Sequence, residues 1–250
     1  MHAELTNSTI SESTQKKASQ IIESCVHCGF CLATCPTYQI LGDELDSPRG
    51  RIYLIKSALE QNQFTQKSLS HMDRCLTCRS CETTCPSGVE YGQLLEIGRE
   101  IMESKRGKFQ TLYRYLVRKA LLTPIIFKPI GYFYRHSKIS SKPIKPETIQ
   151  SRVLLMGGCV QPSLAPNINH SIKNILAKLN IEVLESSQGQ CCGALDQHLA
   201  ASSEAMKKVK RNIDNWIAQL DSGVEAIISS ASGCGVMIKD YPKLFKSSDP

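Results

Sequence analysis

Residues 25–36 read CVHCGFCLATCP, and residues 75–86 read CLTCRSCETTCP. Both are C-x2-C-x2-C-x3-C-P runs. Cys25, Cys28, Cys31 and Cys35 are matched, fifty positions later, by Cys75, Cys78, Cys81 and Cys85. This is the ligand run of two-cluster bacterial ferredoxins. Three thiolates separated by two residues on a tightly wound loop reach three irons of one cube, while the fourth points away toward the other cluster. The expected sets are therefore Cys25, Cys28, Cys31 and Cys85 for one [4Fe–4S] cluster, and Cys75, Cys78, Cys81 and Cys35 for the second. Pro36 and Pro86 lack an N–H and fix the turn leaving each site. Gly29 and Ser80 are small neighbours that let backbone amides approach cluster sulfurs, which helps set the reduction potential. Zinc ribbons also use C-x2-C pairs, but a four-cysteine run closed by proline, twice over, is not their pattern.

Thirty-nine residues, 36–74, separate the runs, far more than a compact bacterial ferredoxin uses. They hold a loop at 41–51 and then a helical stripe of Ile52, Ile55 and Leu59, with Leu54 less regular. The expectation is an α-helical ferredoxin domain over residues 21–103, after a polar segment at 1–20. Arg49 and Arg51 read either as charges that offset the clusters or contact a partner, or as an exposed arginine turn capping the helix.

The second half has another rhythm. Residues 153–156 read as a buried strand, and Ile168, Ile172, Ile175, Leu176 and Leu179 fall at helical spacing. Residues 181–184 read as a second strand. Met206, Val209, Ile213, Trp216, Ile217 and Leu220 share one face of a long helix, and residues 224–228 form a third strand. Strand, helix, strand, helix, strand is the order of a parallel α/β sheet, here over residues 151–250. Cys159, Cys191, Cys192 and Cys234 each fall just past the carboxyl end of an expected strand, the edge where open α/β sheets bind ligands. Four thiols from three loops make a candidate third site, for a further cluster or for zinc.

The chain has 250 residues, twelve of them cysteine, and a formal net charge of +7. That excludes collagenous, disordered and disulfide-knot chains. Residues 104–146 carry eleven Lys or Arg and no Asp or Glu. The stretch, within a helical linker at 104–150, reads as a solvated basic face or as a docking surface for an acidic partner or an anionic membrane. No nucleic-acid module accompanies the charge, so nucleic-acid binding is not expected. The first twenty residues lack the apolar core of a secretory signal. The apolar stretch at 121–134 holds Pro124, Lys128 and Pro129 and is shorter than the ~20 residues of a spanning helix. A cytoplasmic location is expected, extending to the cytoplasmic face of the membrane, where clustered thiols serve metals rather than disulfides.

Several stretches together resemble the iron–sulfur subunit family of glycolate oxidase, within the wider group that carries the CCG cysteine-rich domain of heterodisulfide reductases. They are CVHCGFCLATCPTYQILGDELDSPRGRIYLIK (25–56), DRCLTCRSCETTCPSGVEYG (73–92), GGCVQPSLAPNIN (157–169), CCGALDQHL (191–199), RNIDNWI (211–217) and SASGCGVMIKDY (230–241). The resemblance implies electron transfer through two [4Fe–4S] clusters. It implies that a partner flavoprotein, carrying FAD or FMN, oxidises glycolate to glyoxylate, with no catalytic residue on this chain. Lactate, glycerol-3-phosphate and heterodisulfide systems are the neighbouring alternatives, and a zinc-stabilised interaction protein is the alternative of another class. Two departures stand out. Ala231 takes the place of the first cysteine in the family's closing C-x-x-C, which argues against a five-thiolate cluster. The family's second CCG half is absent from these residues, so the chain reads as a truncated or split subunit.

Overall fold

The computed structural model describes residues 10–61, 64–133, 142–185 and 191–245. It divides into two compact units, Met1–Thr111 and Leu112–Pro250.

The first unit is helical: α1 (Glu12–Glu23), α2 (Pro36–Leu41), α3 (Pro48–Gln61), α4 (Gln66–Asp73), α5 (Ser80–Thr84) and α6 (Tyr91–Glu103). Local chemistry sets the boundaries. Ser11 and Thr65 cap α1 and α4 by accepting from Thr14 N–H and Ser68 N–H. Pro36 and Pro48 occupy first-turn positions, where a missing N–H costs nothing. Gly42 ends α2 in the left-handed region at φ 67°. Ile52, Ile55 and Leu59 of α3 are buried as their spacing predicts, packed with Ile22, Met72, Leu94, Leu95 and Met102.

Two glycines let the helices meet. A Cβ on Gly98 would stand 2.8 Å from Ile55 Cγ1, so α3 and α6 cross there. A Cβ on Gly50 would overlap the Glu44 carbonyl, which lies in the 3-10 turn Glu44–Asp46. Backbone cannot yield as a side-chain tip does. Gly50→Ala is therefore expected to cost at least the ~1–3 kcal/mol of an overpacked core, read as a lowered denaturation midpoint. A midpoint equal to wild type would mean that the Glu44 turn moves freely.

The expectation for Arg51 needs correcting. It lies in the first turn of α3, not on an exposed loop, and is 1% exposed. Its guanidinium donates to Asp46 Oδ1 at 3.2 Å, His71 O at 2.8 Å and Thr37 Oγ1 at 3.0 Å. Asp46, itself fully buried, also accepts from Arg74 at 2.9 Å. Arg49 is the partly exposed one of the pair, bound to Glu44.

Helix α7 (Lys108–Leu122) spans the boundary between units, and α8 (Pro124–Phe133) follows. The second unit then runs β1 (Ser151–Met156), α9 (Gln161–Leu164), α10 (Pro166–Lys178), β2 (Ile181–Glu185), α11 (Ala194–His198), α12 (Ser202–Asp221), β3 (Ala226–Ser229), α13 (Ser232–Lys239) and α14 (Tyr241–Leu244). The sheet is parallel with order β2-β1-β3, Val153 pairing with Val183 on one side and Ala226 on the other. As the middle strand, β1 buries Val153, Leu154, Leu155 and Met156. Leu154 and Met156 pack with Val209, Trp216, Met237 and Tyr241.

Three readings shift. The third strand starts at Ala226 rather than 224, because Val224 packs in the core as the chain enters the sheet. The inner face of α12 is Ala205, Val209, Asn212 and Trp216, whereas Ile217 and Leu220 are exposed. Along α10 and its C-cap Leu179, Ile168, Ile175 and Leu179 are exposed within this unit, and Ile172 and Leu176 are half-buried.

Candidate metal centres

Both cysteine runs build the same loop. His27 and Gly29, which flank Cys28, have φ of 53° and 85°; Thr77 and Arg79, which flank Cys78, have φ of 55° and 59°. Left-handed residues set among right-handed ones turn successive N–H groups to one side, the nest that receives anions and Fe–S clusters. Three of the four are not glycine, and each left-handed L-residue costs about 1–2 kcal/mol. The loops are held in that shape from outside. Arg99, on α6, donates to Cys75 O at 2.8 Å and Thr77 Oγ1 at 2.9 Å. Arg49, on α3, reaches His27 O at 3.5 Å, and Gly29 admits its guanidinium: a Cβ there would stand 2.9 Å from Arg49 Nη1. Arg49 and Arg99 are themselves fifty positions apart, so the repeat extends to the residues that brace its loops.

Two cavities lie against these loops. One, of about 430 Å³, is lined by Cys25, Cys28, Cys31, Cys81 and Cys85. The other, of about 300 Å³, is lined by Cys75, Cys78, Cys81 and Cys35. Cys81, Pro48 and Tyr91 line both. Burial pushes the Cys31 thiol up, and pushes Cys81 to about 12, helped by the neighbouring charge of Cys75. Binding a metal there releases protons. Tyr91 is buried, and its hydroxyl donates to Cys75 Sγ at 3.5 Å.

All twelve cysteines are free thiols. Soft sulfur donors suit iron–sulfur clusters and zinc alike, so spacing decides. Tetrahedral zinc with bonds of ~2.3 Å holds its sulfurs within about 4 Å of one another. Among the described residues, the group of three or more His, Cys, Asp or Glu with ligand atoms mutually within 4.8 Å is Asp43, Asp46 and His71, which contains no cysteine. Both oxygens of Asp46 are already bound to arginine. The thiols around each cavity thus stand wider apart than one four-coordinate ion requires, and a cluster with its own sulfides fits them.

In the second unit Cys159 follows β1, Cys191 and Cys192 precede α11, and Cys234 sits in the first turn of α13. The four come together as two pairs. The Cys159 thiol lowers Cys191 to about 6 through their hydrogen bond, and Cys192 lowers Cys234 the same way; these bonds, and then burial, raise Cys159 and Cys192. Asn212 and Tyr241 hold the chain between them, donating to Cys191 O at 3.0 Å and Cys192 O at 2.9 Å. Trp216 stacks on Tyr241 at 5.8 Å. Arg118 and Lys208 both bind buried Asp196, just beyond the adjacent cysteines. Sequence reading overlooked Tyr91, Arg99, Asn212 and Tyr241. Only Arg99 carried a signal there, through the fifty-residue period.

The 4Fe-4S dicluster domain family matches residues 21–89, and the cysteine-rich CCG domain family matches residues 153–239. The chain carries a 4Fe-4S dicluster domain followed by a cysteine-rich CCG domain. Its likeness to the glycolate oxidase iron–sulfur subunit of Escherichia coli is 43% identity over 99% of this chain and 65% of that protein. The probable glycolate oxidase iron–sulfur subunit of Bacillus subtilis is 30% identical over 91% of this chain and 60% of its own length. One subunit of the dihydromethanophenazine:CoB–CoM heterodisulfide reductase of Methanosarcina acetivorans is 24% identical over 92% of this chain and 60% of its own length. The chain therefore spans less than two thirds of these relatives, and the likeness runs through both of its domains. No solved structure matches it. Among the described residues no helix is long and apolar enough to cross a membrane.

Proposed function

We propose that this dicluster protein is the electron-transfer subunit of a glycolate-oxidising complex. Two [4Fe–4S] clusters, when bound, supply one-electron carriers at potentials the surrounding protein adjusts. Cys25, Cys28, Cys31 and Cys85 would hold the first, and Cys75, Cys78, Cys81 and Cys35 the second. The observation that carries this reading is the pair of cavities: one is lined by Cys75, Cys78 and Cys81 with Cys35 of the other run, and the other by Cys25, Cys28 and Cys31 with Cys85 and the shared Cys81. The glycolate step loses two electrons and two protons to form glyoxylate, and belongs to a flavin on a partner subunit. This chain's loops take the electrons singly. Cys28 and Cys78, both exposed, give each site an edge at the surface. The four cysteines of the CCG domain are a third candidate metal site. The basic run of residues 104–146 suits docking to the flavoprotein or to an anionic membrane face in the cytoplasm.

Metal analysis of anaerobically purified protein tests the reading. About eight irons per chain with equal sulfide are expected for two clusters, and about twelve if the CCG cysteines hold a further one. Addition of glycolate and the flavoprotein should then bleach the cluster absorbance, which this chain alone should not do. Zinc with little iron after reconstitution would sink the proposal.

A further inference from the structure

The two cysteine sets differ in what donates to their sulfurs. In the second set, the Thr37 hydroxyl stands 3.2 Å from Cys35 Sγ and the Tyr91 hydroxyl 3.5 Å from Cys75 Sγ. Among the described residues no side-chain hydroxyl bonds a sulfur of the first set, where Cys31 receives the backbone N–H of Arg49. The Thr37 contact has a direction. As a thiol, Cys35 donates to Asp46 O at 3.7 Å, and Thr37 donates to the same carbonyl at 2.9 Å. As a thiolate ligand, Cys35 has no proton and only accepts. Thr37 Oγ1 receives an N–H of buried Arg51 at 3.0 Å, so its one proton goes either to Asp46 O or to the sulfur, and a thiolate is the stronger, charge-assisted acceptor.

Charge points the same way. Around the second set, Arg51 and Arg74 share the single carboxylate of Asp46. Beside the first, Arg49 is matched by Glu44. Cluster potentials follow type, net charge, hydrogen bonds to sulfur and exposure. The type is common to both sets, and each has one exposed cysteine, Cys28 or Cys78, although the second set buries two thiols, Cys35 and Cys81, against Cys25 alone in the first. The greater burial of the second set opposes an added electron, and its hydrogen bonds and charge outweigh it.

Resting on the two-cluster reading above, we propose that Thr37, backed by Arg51, and Tyr91 act as positioning donors that make the cluster of Cys75, Cys78, Cys81 and Cys35 the higher in potential. A single electron entering the protein then rests at that set. In the exchange the first cluster is oxidised as the second is reduced, with one electron moving and no proton.

The test is an EPR-monitored potentiometric titration of the full, cluster-loaded chain, after iron and sulfide are counted. Two resolved midpoints are expected. Thr37→Val and Tyr91→Phe should each lower the upper midpoint and leave the lower one in place, and Thr37→Ser should restore it. Cys78→Ser should displace the upper midpoint and Cys28→Ser the lower. These two substitutions settle the assignment even if a hydroxyl variant fails to take up iron. Coincident midpoints in the wild type, or an upper midpoint that follows Cys28→Ser, overturns the proposal. An iron count short of two clusters overturns the underlying reading, and is seen before any potential is measured.

Discussion

Replacing Cys35 with alanine is expected to halve the iron, from about eight to about four per chain, and to remove the cluster of the other run. Cys35 belongs by sequence with Cys25, Cys28 and Cys31, but the cavity it lines is that of Cys75, Cys78 and Cys81. Double substitutions make the distinction sharp, because changes to one unit do not add while changes to separate units do. If Cys35 serves the second run, Cys35→Ala with Cys78→Ala keeps about four irons, as either single change does. Cys35→Ala with Cys28→Ala keeps almost none. Self-contained runs would give the reverse, and iron analysis of the two double variants separates the cases. Cys85→Ala should behave as the mirror image, failing to add to Cys28→Ala and adding to Cys78→Ala.

The ligand runs were legible in the sequence because their chemistry is local: spacing, proline and a fifty-residue repeat suffice to predict paired loops. What braces those loops is not local. Arg99 reaches Cys75 and Thr77 from α6, twenty-odd positions later, and only its coincidence with Arg49 in the repeat could have drawn attention to it. Tyr91 gave no signal, since a tyrosine opening a helix is as often packing as donor. Arg51 misled for a physical reason. Arginine is rarely fully buried, and a sequence cannot show that Asp46, His71 O and Thr37 converge on it. The alternation of strands and helices in the second unit was readable from hydrophobic runs, yet the phase of α12 was not. Asn212 belongs to the inner face because it bonds Cys191 O and Tyr241, so a stripe judged by hydrophobicity alone rotates toward Ile217 and Leu220.

Asp46→Ala should be the most damaging substitution outside the cysteines. Asp46 and Arg51 are both buried. Breaking a buried pair by removing one partner costs about 3–5 kcal/mol, because the remaining charge is left uncompensated. Arg51 cannot shed its proton to escape that penalty. The same network holds the chain beside a cluster site: Asp46 O accepts from Thr37, and Arg51 ties α3 to His71 O at the end of α4. Loss of stability and loss of the second-run cluster are therefore expected together. Glu44→Ala is the control, since Glu44 and Arg49 form a partly exposed pair of the kind worth no more than about 1 kcal/mol. Urea unfolding followed by helical circular dichroism, with iron counted in parallel, compares the two. If Asp46→Ala unfolds no earlier than Glu44→Ala, Arg51 finds another counter-charge or water, and the buried network is not what holds the Cys35 turn in place.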